Sequence, residues 1–464
     1  MNLYSFILFS LLFIYGSSES FIHLGHQLMM AIPADYRPGF TGKAYMLQTN
    51  QTTPNFRLAL GVEAIDGKYS CSLQVLLGDV KVWDSGHYSR FFATEKCLIE
   101  LSQDGDLTLK GPKEQVGWKT ATSGQGVERL EILRTGNLVL MDSLNNIKWQ
   151  SFNFPTDVML WGQRLNVATR LTSSSLQNNS SFVYSFEIEY NRVALYLNAD
   201  DKLRYSYWEF KPSMNRNITF VKLGSRGLDL FDVRYKKIAQ IPSPRKHPIK
   251  FLALNNETGN FGLYYYSDEK AKFVAFFHAL NRTCDLPLAC RPYGICTFPD
   301  ACSCIQLSAK KNEGSFECNE EISGGFCGGK EAEMLELENV GSVLKDDHTR
   351  MVNISREACK NLCLQDCECA STLYFRNKSS NVQECYLYRL VLGLKQVEKG
   401  TGFTYMLKVP EGTAENNGEH NLKKWVFILV GAIDGLIILI VVGGVGYWMV
   451  RKRNLTLHSE AATS

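Results

Sequence analysis

Residues Leu130–Leu165 read LEILRTGNLVLMDSLNNIKWQSFNFPTDVMLWGQRL. The first half alternates apolar and polar side chains, the period of a half-buried strand, and the second is a turn rich in Asn, Pro and Asp that no helix would continue through. The stretch predicts a strand pair closed by a fixed corner. The same period of two recurs outward from it. Tyr184, Phe186, Ile188 and Tyr190 fall on one face against Ser185, Glu187 and Glu189 on the other, and further strands are expected at Val193–Leu197, Leu203–Phe210 and Phe261–Tyr266. No helical period of useful length precedes Cys284, so this region is expected to be all-β and, at about 260 residues, to hold two domains.

The ends of the chain set the compartment. Leu3–Tyr15 is an apolar run of thirteen residues followed by Gly16, Ser17 and Ser18, the pattern of a secretory signal, although its start lacks Lys or Arg. Trp425–Val450 gives 26 residues with one formal charge, about 39 Å as a helix and enough to cross a hydrocarbon core of about 30 Å. Lys423 and Lys424 precede this run and Arg451, Lys452 and Arg453 follow it, which fits a single-pass type I protein in the plasma membrane with its N-terminal part outside. The fourteen residues from Arg451 are too few to bury a core. Any recognition is therefore expected of the extracellular part.

Fourteen cysteines in such a chain argue for disulfides rather than zinc ligands or free thiols. They divide as two (Cys71, Cys97), six from Cys284 to Cys318, and six from Cys327 to Cys385. The first part is expected to rest on burial and the last to be stapled, as small modules are. Cys71 and Cys97 are expected to pair, closing a loop of about 27 residues that contributes roughly 3–4 kcal/mol in the chain-entropy model. Ser355 is an expected N-cap with Glu357 in the first turn, and Cys359 and Cys363 then share a helical face and staple it to a sheet. Asn50, Asn178, Asn179, Asn217, Asn256, Asn281, Asn353 and Asn377 are candidate glycosylation sites. The net charge of +3 names no polyanion partner and no nucleic-acid role.

The opening stretch resembles the bulb-type, mannose-binding lectin domain of plant S-locus glycoproteins and S-receptor-like kinases. GNLVL at Gly136–Leu140 resembles the family's strand motif, and Trp149–Asp157 its WQSF-x-x-PTD corner. LSQDGDLTLKG, Leu101–Gly111, resembles a weaker copy, and LALNNETGNFGLYYY, Leu252–Tyr266, a second, diverged lectin-like domain. Cys284–Cys304 resembles an EGF-like module and Cys359–Tyr374 a PAN or apple module. The resemblance implies a mainly β protein with a signal peptide (1–20), a bulb-type lectin β-prism (21–170), a second lectin-like domain (171–280), an EGF-like module (281–320), a PAN module (321–408), a juxtamembrane linker (409–424), a transmembrane helix (425–450) and a cytoplasmic tail (451–464). It is closest in kind to the PAN-domain membrane proteins of that family without a kinase. It also implies the pairs Cys284 with Cys296, Cys290 with Cys304, Cys359 with Cys385, and Cys363 with Cys369.

The family's mannose strand has the pattern QxDxNxVxY. Asn137 and Val139 hold the Asn and Val places, while Leu133, Thr135 and Met141 stand for Gln, Asp and Tyr. In the weaker copy Asp104 survives, with Ser102, Asp106, Thr108 and Lys110 at the other places. Each lost charge-assisted hydrogen bond costs about 1.5–3 kcal/mol, against about 4 kcal/mol for a millimolar sugar. Mannose binding at this motif is therefore expected to be absent or very weak, with Asn137 serving the turn and Val139 the core.

Other candidates carry two readings each. The basic stretch Arg234–Lys250 is either a loop that attracts acidic polysaccharide or a solvated connection between strands. Tyr205, Tyr207 and Trp208 either stack on sugar or fill a core. Asp434 in the apolar run, beside the pair Gly431 and Gly435, either marks lateral association with a receptor kinase or a second copy, or is a tolerated carboxylate that costs about 2.5–3.5 kcal/mol. No nucleophile, metalloprotease or phosphate-loop motif appears, and no cofactor is implied. The sequence thus points to a non-enzymatic surface protein that recognises an extracellular carbohydrate or peptide, or else to an adhesion or wall-tethering glycoprotein.

Overall fold

The computed structural model describes residues 21–50, 53–174, 182–199, 203–213, 216–242, 247–305, 318, 332–345, 349–376, 382–411, 443 and 447. The expected signal, the span 425–450 with Gly431, Asp434 and Gly435, the tail, and Asn178, Asn179 and Asn377 lie outside these residues, apart from Gly443 and Tyr447. No helix among the described residues is long and apolar enough to cross a membrane.

The first unit is built on three leading strands, each of which enters a different antiparallel sheet, two of four strands and the third of five, its fifth strand Phe91–Phe92 pairing with Lys68–Leu77. Phe21–His23 pairs with Arg129–Ile132, followed outward by Leu138–Met141 and Ile147–Gln150. Gln27–Ala31 pairs with Lys96–Leu101, then Leu107–Lys110 and Val116–Lys119. Thr41–Gln48 pairs with Phe56–Ile65, then Lys68–Leu77 and Val80–Asp84. The inward faces bury Leu58, Leu60, Leu73, Ile99, Leu101, Leu130 and Leu140 in one core, and the Cys71–Cys97 bond ties the second sheet to the third. The last strand of each sheet carries one tryptophan, in VKVWD, VGWK and IKWQ. Trp83, Trp118 and Trp149 meet edge to face, with centroids 5.7–6.0 Å apart. Such contacts add to the area the rings bury and close the three sheets into a prism.

The corner at the end of the opening stretch leads into a second prism made the same way. Val158–Leu160, Arg164–Asn166 and Arg170–Thr172 are three-residue strands that pair with Ile249–Leu254, Phe220–Gly224 and Phe182–Ile188 respectively. Each thereby opens one of three further four-stranded sheets. Met159, Leu165 and Leu171 enter the second core while Val158 and Leu160 pack in the first, so the passage between the prisms is spread over Val158–Thr172 rather than set at one residue near 170. Tyr184, Phe186 and Ile188 face that core, but Tyr190 lies beyond its strand and is exposed. The stretch Arg234–Lys250 is not a loop throughout. It contains the edge strand Lys237–Pro242, which buries Ile238 and Ile241.

The cysteine-rich part packs on the second prism. Its hairpin Gly294–Thr297/Ala301–Cys304 pairs in parallel with Leu394–Gln396, so segments expected to form two separate modules share one sheet with Val340–Ser342. A five-stranded sheet follows, covered by the helix Arg356–Gln365. Ser355 caps that helix by accepting from the Ala358 amide at 3.2 Å. At its other end the buried Lys408 ammonium reaches from the sheet to donate to the carbonyls of Cys363 (3.2 Å) and Asp366 (3.0 Å). That placement satisfies terminal carbonyls and suits the negative end of the helix dipole. Cys359–Cys385 and Cys363–Cys369 bind the helix to the sheet and its following turn, and Cys284 bonds Cys296.

The pairing of Cys290 differs from expectation: it bonds Cys302, while Cys304 bonds Cys318. Cys302 and Cys304 lie on the same strand, so their Cα atoms are about 6–7 Å apart. The segment at Cys290 lies beside Cys302, with a Cα–Cα distance of 5.7 Å. Reaching Cys304 instead would require backbone movement.

Candidate functional site

The residues of the strand motif are turned to structure. Leu133 to Gly136 form the turn into the motif strand, the Gly136 amide donating to the Leu133 carbonyl at 2.8 Å. Gly136 has φ +81° and no room for a Cβ, which would lie 2.4 Å from the Phe56 ring. Asn137 follows, 4% exposed. Its amide nitrogen donates to Gln150 Oε1 at 2.8 Å, and its carbonyl accepts from Ser151 Oγ and the Phe152 amide, both at 3.2 Å. The side chain thus fastens the strand motif to the WQSF corner, and Val139 is wholly buried. Asn260 repeats the device in the second prism, exchanging 2.7 Å and 3.0 Å bonds with the backbone of Leu280.

In the weaker copy Asp104 accepts from Ser102 Oγ and Ser123 Oγ, and these hydroxyls hold its carboxyl below the ordinary value. Lys110, at the place of the family's tyrosine, is held by Glu100 (2.7 Å) and Glu114 (2.9 Å). Neither face offers the convergent free amide, carboxylate and phenol of a mannose strand. Tyr205 and Tyr207 are core residues. Tyr205 Oη accepts from the Arg389 amide at 3.1 Å and Tyr207 Oη donates to the Gly259 carbonyl at 2.5 Å.

The outer face of the third sheet forms a polar cleft against the second prism, a site without a motif in the sequence. Ser70, Ser72 and Gln74 alternate along one strand, and Gln74, fully buried, donates to Glu63 (2.8 Å) and Ser72 (3.0 Å). Lys81 sits between Asp84 (2.9 Å) and Glu63 (3.2 Å). Burial lowers its pKa, but the Asp84 and Glu63 carboxylates outweigh that effect and hold it above the ordinary value. The corner supplies Thr156 and Asp157, enclosing a space of about 60 Å³. Thr156 Oγ1 and Arg90 Nη1 are buried there without protein partners. Polar walls with unused hydrogen-bond capacity suit bound water in a space of this size.

The same cleft joins the two prisms. His87 Nε2 lies 3.0 Å from Thr172 Oγ1 and Asn256 Nδ2 donates to Asp157 Oδ2 at 2.8 Å, while the Trp83 indole holds the corner to the first prism by donating to the Phe154 carbonyl at 2.9 Å. Burial lowers the His87 pKa despite the nearby Asp157 and Asp84 carboxylates. Among the candidate glycosylation sites, Asn50, Asn217, Asn281 and Asn353 are exposed. Asn256 is not free in this way, since its Oδ1 also accepts from the Ser174 amide at 3.1 Å.

A second recess lies at the seam where the leading strands Phe21–His23 and Thr41–Gln48 run beside each other. It is an open groove of about 620 Å³ lined by Phe21, His23, His26, Tyr45, Gln48 and Arg57 among others. Tyr45 and Leu47 are two residues apart and would share a face of a regular strand. The register shifts between them, however, so Tyr45 is 51% exposed and Leu47 only 6%. The Arg57 guanidinium lies 4.6 Å from the Tyr45 ring centroid. A bulge cannot be read from an alternating pattern, and no other pattern in the residues marks this groove.

A family model described as D-mannose binding lectin matches residues 82–180. The chain is 23% identical over 372 residues to the PAN domain-containing protein At5g03700 of Arabidopsis thaliana, covering 77% of this chain and 73% of that protein. It is 22% identical over 406 residues to the G-type lectin S-receptor-like serine/threonine-protein kinase SD2-5 of Arabidopsis thaliana, covering 82% of this chain but only 47% of that kinase. It is 26% identical over 324 residues to EP1-like glycoprotein 3 of Arabidopsis thaliana, covering 64% of this chain and 72% of that protein. Among solved structures, a monomeric monocot mannose-binding lectin from Gastrodia elata is 22% identical, with 28% of this chain and 93% of that chain covered and a TM-score of 0.18. With a lectin-domain match over residues 82–180 and relatives of this kind along most of its length, the chain is similar to the S-locus, G-type (bulb-type) lectin proteins.

Proposed function

We propose that this protein is a non-enzymatic, single-pass receptor-like glycoprotein that recognises an extracellular carbohydrate or peptide and serves as a ligand-binding partner or co-receptor. The observation that carries the reading is the open groove beside Tyr45 on a lectin scaffold whose motif faces are closed. An exposed aromatic ring among a few polar groups is the make-up of a recognition surface. The 26-residue apolar run at Trp425–Val450 and the basic cluster after it support the membrane assignment. Relatives named as S-receptor-like kinases support a role beside such a kinase. The relative named for its PAN domain supports reading the helix-on-sheet unit as a PAN module, and the hairpin braced by Cys284–Cys296 and Cys290–Cys302 fits an EGF-like one. A glycan and peptide binding screen on the purified full chain tests the proposal: saturable retention of a defined ligand is expected, and none from either library would refute it.

A further inference from the structure

We propose that the groove between Phe21–His26 and Tyr45–Gln48 binds an acidic oligosaccharide, a uronic acid chain whose ring lies against Tyr45 and whose carboxylate meets Arg57 and the histidines. The inference rests on the lectin-type recognition proposed above and names its ligand class and site.

Three observations support it. Tyr45 continues the outward series of Thr41 and Lys43, and the bulge at Met46 turns the next residue of that series, Leu47, inward, leaving Tyr45 as the exposed ring at the groove's edge, and bulges of this kind commonly re-aim a side chain beside a site. The aromatic ring is then held in place. Arg57 is stacked on it and is itself anchored by a 2.6 Å bond to the Gly78 carbonyl, so the Tyr45 face toward the groove can receive an apolar sugar face without a rotamer search.

The charge of the walls selects the ligand. His23, His26 and Arg57 line the groove and no acidic side chain does so among the described residues. Lys43, two residues before Tyr45, is exposed on the same strand. The Arg57 side chain is 25% exposed and lines the groove, so part of it stays open to a ligand. Its one carboxylate neighbour, Asp79 at 3.3 Å, is fully exposed, and an exposed pair of this kind is weak. Glu128 and Glu131 line a neighbouring recess that shares Phe21 and His23 with the groove, and there Arg129 faces Glu131 at 3.6 Å. They bound the cationic stretch rather than enter it. A guanidinium matches the planar geometry of a carboxylate, and a groove of about 620 Å³ is long enough for more than one sugar ring.

The test is a titration of the purified full chain in detergent with a galacturonate trimer and with its methyl ester, which keeps the rings but removes the charge. The acid is expected to bind at least tenfold more tightly than the ester. Tyr45→Ala should weaken it at least tenfold, and Tyr190→Ala, at an exposed position of the second prism, should change nothing. Higher salt should reduce the affinity of the acid. Equal affinity for acid and ester, or affinity unchanged by Tyr45→Ala, would overturn the inference. Failure of the trimer while another glycan or peptide binds would overturn it too and leave the proposed function standing, whereas failure of every ligand would remove both.

Discussion

The Asn137 side-chain amide donates to Gln150 at 2.8 Å, and through this bond the most recognisable strand of the chain is committed to its own corner. Substituting Asn137 by Ala removes three hydrogen bonds at a buried position and leaves Gln150 and Ser151 without their partner. The expected loss is about 2–3 kcal/mol of stability, measured by denaturant unfolding of the variant against the parent. A residue kept only for a sugar would show no such loss.

The disulfide map is a direct chemical prediction. Non-reducing digestion is expected to release peptides joining Cys290 to Cys302 and Cys304 to Cys318. A Cys290–Cys304 peptide would restore the pairing implied by the family resemblance and contradict the observed hairpin arrangement.

Glycan occupancy should follow the freedom of each asparagine amide. Asn50, Asn217, Asn281 and Asn353 are exposed, whereas the Asn256 amide is bonded to Asp157 and Ser174 at the joint between the prisms. Mass spectrometry of glycopeptides is expected to find Asn256 unmodified.

The joint should weaken in mild acid. His87 is held below its ordinary value of 6.5 by burial, so between its folded pKa and 6.5 the unfolded chain binds more protons than the folded one. Stability from this group is complete above 6.5 and declines as pH falls below it. The melting temperature is expected to drop on acidification through that range, with a smaller drop in His87→Gln, where the side chain no longer titrates.

Much of the fold was legible in the chain because alternation is a direct consequence of one buried face. The strands Val193–Ala199, Leu203–Phe210 and Phe261–Ser267 lie within a residue or two of their expected ranges. The Ser355 cap and the two buried helix cysteines were legible for the same local reason. What was not legible depends on distance partners. Val158–Leu160, Arg164–Asn166 and Arg170–Thr172 are too short to show a period, so their allegiance to three separate sheets is fixed only by the surfaces they meet. The sharing of one sheet by Gly294–Thr297 and Leu394–Gln396 is likewise a contact between remote segments. At the candidate site, the missing mannose residues were evident, but the groove beside Tyr45 is set by a one-residue register shift that no composition records.

The central claim is that this lectin scaffold no longer uses its strand-motif faces for mannose. Calorimetric titration of the purified full chain with a mannose oligomer measures it most directly. The account predicts no saturable binding up to about 10 mM, where a single-sugar site of ordinary strength would be filled. Millimolar or tighter mannose binding that disappears in Asp104→Asn, a substitution at an exposed residue, would contradict it.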